Sequence, residues 1–364
     1  MARRLTLVIH SLDGGGAERI MALMARRWAE MGHAVTLVTL DSVENDRYPL
    51  APAVRRIGLE QMSVSRSKLQ GLWNNVTRVR LLRRAIGEAR GDQVISFTDK
   101  MNVLTLLACP KSSVIICERV DPRHHSIGRL WSQLRRYTYP RCRALVVQTD
   151  GVRAYMQRIV KNRPIYVIPN PVTPTEVSSR RERVVVAMGR LVPQKGFDLL
   201  IDAFAMIAAQ HPDWRLMIYG EGPARASLES QIRKRNLQGA VQIAGWTTDP
   251  TQVLSTAGVF ALSSRYEGFP NVLLEAMATG VAAVSFDCES GPREIMRHEV
   301  DGLLVPPQNV KLLAAALDRL LSNDEERVRL GERACEVSER FSDEKFFEAW
   351  EQLLRFPDNA KSGV

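Results

Sequence analysis

Residues 265–280 read R-Y-E-G-F-P-N-V-L-L-E-A-M-A-T-G. Glu267 and Glu275 stand eight residues apart, with the turn Gly268-Phe269-Pro270-Asn271 between them. The run V-L-L-E-A-M-A is rich in helix formers, and Gly280 supplies a helix C-cap. This order predicts Glu267 on the loop that enters a helix and Glu275 inside that helix. Just upstream, Val259-Phe260-Ala261-Leu262 predicts a short buried strand, and Ser263-Ser264 follows it. A strand, a tight loop and a helix start make an anion site, because first-turn N–H groups have no partner inside the helix. A phosphate would supply that anion. Two carboxylates beside it suit sugar hydroxyls, which are hydrogen-bond donors.

The same pattern repeats outward through the second half. Val184 to Met188 is a predicted strand, and the loop G-R-L-V-P-Q-K-G (189–196) follows it before a helix from Phe197 to Ala209. Arg190 and Lys195 share that loop, five residues apart. At a strand's carboxyl end, opposite the glutamate pair, they would clamp a diphosphate. Trp214 to Tyr219 leads into the turn Gly220-Glu221-Gly222-Pro223. Val241 to Ala244 leads into Gly245-Trp246. Ala282 to Phe286 precedes Ser290-Gly291-Pro292-Arg293-Glu294, and two helices are expected to end the chain after Gly302-Leu303-Leu304-Val305.

The first half opens with a buried strand, Leu5 to His10, then Gly14-Gly15-Gly16 and a helical pattern from Ile20 to Met31. A glycine-rich loop between strand and helix lets backbone N–H groups approach a phosphate. It is neither G-x-G-x-x-G nor a Walker A loop, and Asp41 gives poor support for a nicotinamide site. Further strands are predicted at 34–40, 93–97, 114–117 and 144–148, and the run 165–172 closes this half. Alternating strands and helices imply parallel sheets. The expected architecture is α/β, with two Rossmann-like, doubly wound domains whose facing loops enclose a cleft. The expected boundaries are 1–170 for the first domain, 171–183 for a linker and 184–340 for the second domain. A terminal helix region, 341–364, is expected to follow.

Composition narrows the class. The chain has 364 residues, 45% hydrophobic and 25% charged, which fits a globular protein of two domains. Its five cysteines are scattered without a C-x-x-C pair, which points to reduced thiols in a cytosolic protein and against a zinc site. The opening M-A-R-R-L-T-L-V-I-H has too short an apolar run for a secretory signal, and no transmembrane stretch is expected. The net charge of +10 is uneven. Residues 1–175 carry 28 Lys and Arg against 13 Asp and Glu, and the remainder carries 22 against 27. A basic first half points to nucleic acid, an anionic membrane or a polyphosphate ligand.

Residues 66–90 space Leu69, Leu72, Trp73, Val76, Val79, Leu82 and Ile86 at threes and fours, among Arg78, Arg80, Arg83 and Arg84. That is a basic amphipathic helix, either packed on a sheet or lying in a lipid interface. Arg129 to Arg143 interleaves arginines with Trp131, Tyr137 and Tyr139. The absence of any nucleic-acid motif favours a lipid headgroup boundary over stacked bases. His124 and His125 have no partners at metal-ligand spacing.

Taken together, E-G-F-P-N-V-L-L-E, the glycine triplet, G-R-L-V-P-Q-K-G, the G-E-G turn and S-G-P-R-E-I followed by D-G-L-L-V resemble the retaining glycosyltransferases of family 4. The motifs stand in that family's order and span nearly the whole chain. The resemblance implies the GT-B fold and bacterial enzymes that extend lipid-linked glycans. It assigns Arg190 and Lys195 to the donor's diphosphate, Glu275 to the ribose hydroxyls and Glu267 to the donor sugar. The backbone of Phe269, Pro270, Asn271, Val272 and Leu273 would line the sugar and phosphate site. Gly15 or Gly16 would approach the diphosphate, and the backbone near Trp246 would read the base. Many members carry a His where this chain has Glu118-Arg119, so either residue would take its place on the acceptor or sugar side.

The resemblance implies same-face transfer without a metal or other cofactor. The donor would be a nucleotide diphosphate sugar, with UDP favoured, and the acceptor a polyprenyl-diphosphate-linked glycan. The enzyme would sit peripherally on the anionic cytoplasmic face of the membrane. Alternatives of the same architecture are a nucleotide-sugar 2-epimerase and a GDP-mannose-dependent mannosyltransferase.

Overall fold

The computed structural model describes residues 2–62, 67–109, 114–175 and 180–355. It divides into two compact units, residues 1–168 with 349–364, and 169–348. The boundary falls at Pro169, inside the run Ile165 to Val172, and part of the expected linker (176–179) lies outside the described residues.

Among its described residues the first unit has seven strands: β1 (Arg4–Ile9), β2 (Ala34–Thr39), β3 (Arg55–Gly58), β4 (Gln93–Phe97), β5 (Val114–Cys117), β6 (Ala144–Val147) and β7 (Ile165–Val167). They lie side by side as β3-β2-β1-β4-β5-β6-β7, all parallel. The second unit has six: β8 (Val184–Met188), β9 (Arg215–Tyr219), β10 (Val241–Gly245), β11 (Val259–Leu262), β12 (Ala282–Phe286) and β13 (Leu303–Val305). Their order is β10-β9-β8-β11-β12-β13, again all parallel. Both are doubly wound Rossmann-like sheets. In each the winding reverses once, between β1 and β4 and between β8 and β11. At such a point two neighbouring strands send their loops to opposite faces, and the crevice left between them is where open α/β sheets bind ligands.

Burial explains why these strands read as unbroken apolar runs. In β8, Val185 and Ala187 join one core cluster and Val186 joins another. In β11, Val259 and Ala261 join the first cluster, and Phe260 and Leu262 the second. Side chains alternate across a strand, so a sheet covered on both faces needs apolar residues at every position.

Several expectations are corrected. Among the described residues, four helices rather than two follow Val305: Val310–Ser322, Asp324–Ala334, Val337–Arg340 and Asp343–Arg355. The strand Arg55–Gly58 and the helix Asp99–Ala108 were not foreseen. The basic helix runs from Lys68 to Ala89, with the Ser67 hydroxyl accepting from the Gln70 amide at its start. Only its later turns bury the apolar face. Leu82 and Ile86 are in the core, whereas Leu69, Leu72 and Trp73 are 75%, 60% and 66% exposed. Arg66, counted with that helix, lies outside the described residues. In the first unit Trp350 returns to pack edge-on against Trp28, ring centroids 5.7 Å apart.

Candidate active site

The second unit assembles its site at the reversal between β8 and β11. Because these strands are neighbours, the loop after β8 lies beside the loop after β11, though the two are some seventy residues apart in sequence. Lys195 comes from the first loop and Glu267 from the second. Their side chains meet at 2.7 Å, Lys195 Nζ donating to Glu267 Oε1, and are 17% and 7% exposed. The Ser264 hydroxyl donates to the same Glu267 oxygen at 2.6 Å.

Backbone contacts fix this meeting. Ser263 Oγ donates to the Lys195 carbonyl, the Arg265 amide donates to the Gln194 carbonyl, and Gln194 Nε2 donates to the Tyr266 carbonyl. Gly196 sits at φ +60°, and a Cβ there would lie 2.1 Å from the Ser263 carbonyl oxygen. Only glycine lets the loops approach so closely. Gly291, at φ +96°, plays the matching part on the other side, where a Cβ would meet Pro270 Cδ at 2.6 Å. The Ser290 hydroxyl also bonds the Gly268 carbonyl, so the S-G-P motif braces the turn that carries Phe269 and Pro270.

The helix that follows is Asn271–Ala278, capped by Pro270 with no side-chain cap bond. The Leu273 and Leu274 amides donate to the Pro270 carbonyl, which leaves the Asn271 and Val272 amides as the donors of the first turn with no partner among the described residues. Leu273, Leu274, Ala276 and Met277 anchor its inner face in the core, and Gly280 turns the chain away at φ +73°. Glu275 is half-buried one turn into the helix. Arg190 is exposed on the β8 loop, and Trp246 is 63% exposed after β10. The arrangement offers one ammonium, one exposed guanidinium and a helix start to an anion, with two carboxylates close by in sequence. That is the equipment for holding a phosphorylated polyol.

In the first unit the strand ends gather a second polar group. His10, after β1, lies 3.1 Å from Glu18. Burial opposes its protonation, but the Glu18 bond and the charges of Glu18, Asp13 and Asp99 outweigh it and raise its pKa. His125 lies 3.3 Å from Asp99. The Glu18 carboxylate fills the space beside Gly15, where a Cβ would lie 2.1 Å from Oε2. A diphosphate would meet that negative charge at Gly15, whereas Gly16 is exposed at the helix start.

Glu118, one of the two residues expected on the acceptor or sugar side, is buried in this structure. It is 2% exposed, accepts from the Tyr139 hydroxyl at 2.5 Å and lies 3.7 Å from the Arg135 guanidinium. Burial, the largest cause, pushes its carboxyl up to about 7 despite Arg135. Arg119 stacks over the Phe97 ring at 3.7 Å. Among the described residues no group of three His, Cys, Asp or Glu is placed to hold a metal. Sequence reasoning missed Ser264, Gln194 and Tyr139, whose roles arise from contacts across the fold.

Comparison with known proteins identifies the family. The model described as Glycosyltransferase Family 4 matches residues 14–176, and the model described as Glycosyl transferases group 1 matches residues 174–337. The chain is 33% identical over 239 residues to the lipopolysaccharide core biosynthesis glycosyltransferase LpsE of Rhizobium meliloti, covering 63% of this chain and 69% of that one. The chain belongs to the family 4 glycosyltransferases. It is also 26% identical over 363 residues to a Campylobacter jejuni glycosyltransferase, covering 98% of this chain and 99% of the relative. The relative is named GalNAc-alpha-(1->4)-GalNAc-alpha-(1->3)-diNAcBac-PP-undecaprenol alpha-1,4-N-acetyl-D-galactosaminyltransferase. Among solved structures, Anabaena HepE in complex with UDP and glucose superposes with a TM-score of 0.78 at 19% identity, covering 97% of this chain and 100% of that one. These matches make the chain a glycosyltransferase and its architecture GT-B.

Proposed function

We propose that this glycosyltransferase moves a hexose or N-acetylhexosamine from a UDP-sugar to a polyprenyl-diphosphate-linked glycan, with retention at the anomeric carbon. The Lys195–Glu267 pair, followed by the helix start at Asn271 that no side chain caps, carries this reading. The sugar C1–O bond to the diphosphate breaks and the acceptor oxygen bonds C1 on the same face. The acceptor proton passes to a phosphate oxygen of the leaving diphosphate. Lys195, Arg190 and the helix amides meet the negative charge that grows on that leaving group, an electrostatic role that often dominates catalysis. Glu267, held by Ser264 and Lys195, keeps an oxygen available to a sugar hydroxyl, and Glu275 takes the ribose. The named substrate of the Campylobacter relative supports a lipid-linked acceptor, and the UDP in HepE supports the donor.

The acceptor would be met at an anionic membrane surface. The basic first unit and the exposed Leu69, Leu72 and Trp73 on a helix bearing Arg78, Arg80, Arg83 and Arg84 support that placement. None of the described helices is long and apolar enough to cross a membrane.

The test is transfer itself. The full chain is incubated with UDP-hexoses, UDP-N-acetylhexosamines or GDP-mannose and a synthetic polyprenyl-diphosphate glycan, with and without EDTA. A product one sugar heavier, α-linked and formed equally with the chelator, is the expected result. Transfer from GDP-mannose alone would move the donor to a guanine nucleotide. A new free nucleotide sugar without any acceptor product would make the chain an epimerase.

A further inference from the structure

Asn170 opens the second unit between Pro169 and Pro171 and is 3% exposed. A proline on each side leaves this stretch little backbone freedom. Asn170 Nδ2 donates to Asn271 Oδ1 at 2.6 Å, across 101 residues of sequence. Two residues on, the Val172 amide donates to the Phe341 carbonyl at 2.8 Å, and the Phe341 ring meets the Phe269 ring edge-on, centroids 5.8 Å apart. One stiff segment thus braces both ends of the Phe269–Asn271 turn that begins the site helix.

The first contact also selects a polarity. A side-chain amide has an acceptor end and a donor end of nearly the same shape. At a helix start that receives an anion, an acceptor oxygen would repel and an N–H group would attract. Asn170 engages the Asn271 oxygen. The Asn271 amide nitrogen has no protein partner among the described residues.

We propose that Asn170 is a positioning residue that orients the Asn271 side-chain amide, so that its nitrogen joins the helix N–H groups in binding the donor's diphosphate. This rests on the proposed nucleotide donor and adds two residues to it. Asn271 touches the ligand through its side chain, and Asn170 acts through Asn271.

The experiment titrates UDP, GDP and uridine into the full chain by calorimetry and ligand-observed NMR. It compares the wild type with Asn170→Ala, Asn170→Asp, Asn271→Ala and the double alanine variant. Each single variant is expected to weaken UDP about tenfold, the scale of one hydrogen bond to a charged group. Asn170→Asp belongs with them because it sets two acceptors face to face. Uridine, which lacks the diphosphate, should bind every variant as it binds the wild type. The double variant should be no worse than either alanine variant, because both remove the same interaction. UDP affinity unchanged in Asn170→Ala, an equal loss for uridine, or fully additive losses would each overturn the proposal. A wild type that binds neither UDP nor GDP would overturn the donor reading itself, an outcome distinct from a normal wild type with unaffected variants.

Discussion

Lys195 and Glu267 illustrate how much one contact decides at the scale of a residue. The pair is largely enclosed, so removing one partner leaves the other charge with poor solvation. Lys195→Ala should lower turnover roughly a hundred- to a thousandfold, the range seen when one preorganised charge-stabilising donor is lost. It should also cost about 1–3 kcal/mol of stability in denaturant melts. Glu267→Gln keeps an oxygen for Ser264 and Lys195, and so should destabilise less while still impairing transfer.

Glu118 yields a pH prediction at the same scale. Its folded value of about 7 lies above the ordinary 4.5, so the native state binds the extra proton between those two values. Stability from this group is therefore fully present below about pH 4.5, falls as pH rises towards 7 and is flat above that, a change on the order of a few kcal/mol. Glu118→Gln should remove this slope, which melts recorded from pH 5 to 8 would reveal.

At the scale of an element, the site helix shows packing in the service of chemistry. Leu273 and Leu274 are 0% and 1% exposed, and they hold the helix start in place. Leu274→Ala should cost about 2–5 kcal/mol through the cavity it leaves, with nucleotide binding weakened as the helix start loosens. The basic helix Lys68–Ala89 behaves differently along its length. Leu82 seats it in the core, whereas Leu72 and Trp73 lie outside. Changing Leu72 and Trp73 to Ser should leave the melting temperature nearly unchanged and sharply reduce sedimentation with anionic liposomes. Leu82→Ala should do the opposite. Equal liposome binding by both variants would remove that helix from the membrane reading.

At the scale of the whole molecule, charge and topology are divided between the halves. Residues 1–175 carry the basic excess, and the rest is slightly acidic. Attraction of such a surface to anionic lipid is screened over a Debye length, about 10 Å at 0.1 M salt and about 3 Å at 1 M. Liposome binding should therefore fall steeply across that range, whereas the proposed UDP binding, which would rest on the largely enclosed Lys195–Glu267 pair of the second unit, should fall far less. Both units share one strand order, so each gathers polar residues at its winding reversal. In the second unit those residues are Lys195 and Glu267, and in the first they include His10 and Asp99.

The sequence by itself determined the alternation of strands and helices, because sheets covered on both faces demand continuous apolar strands and helices demand their own period. It also determined the turn and helix start at Glu267–Asn271, since a turn followed by helix formers is a local signal. Short elements such as the strand Arg55–Gly58 escaped it, because R-R-I-G has one large apolar residue and takes its conformation from the neighbouring β2. The inward turn of Glu118 was equally invisible, because burial against Tyr139 and Arg135 depends on residues far along the chain. Only the tertiary structure brought Lys195 to Glu267 and Asn170 to Asn271. Those meetings depend on which strands are neighbours and which backbones can touch, and local sequence encodes neither.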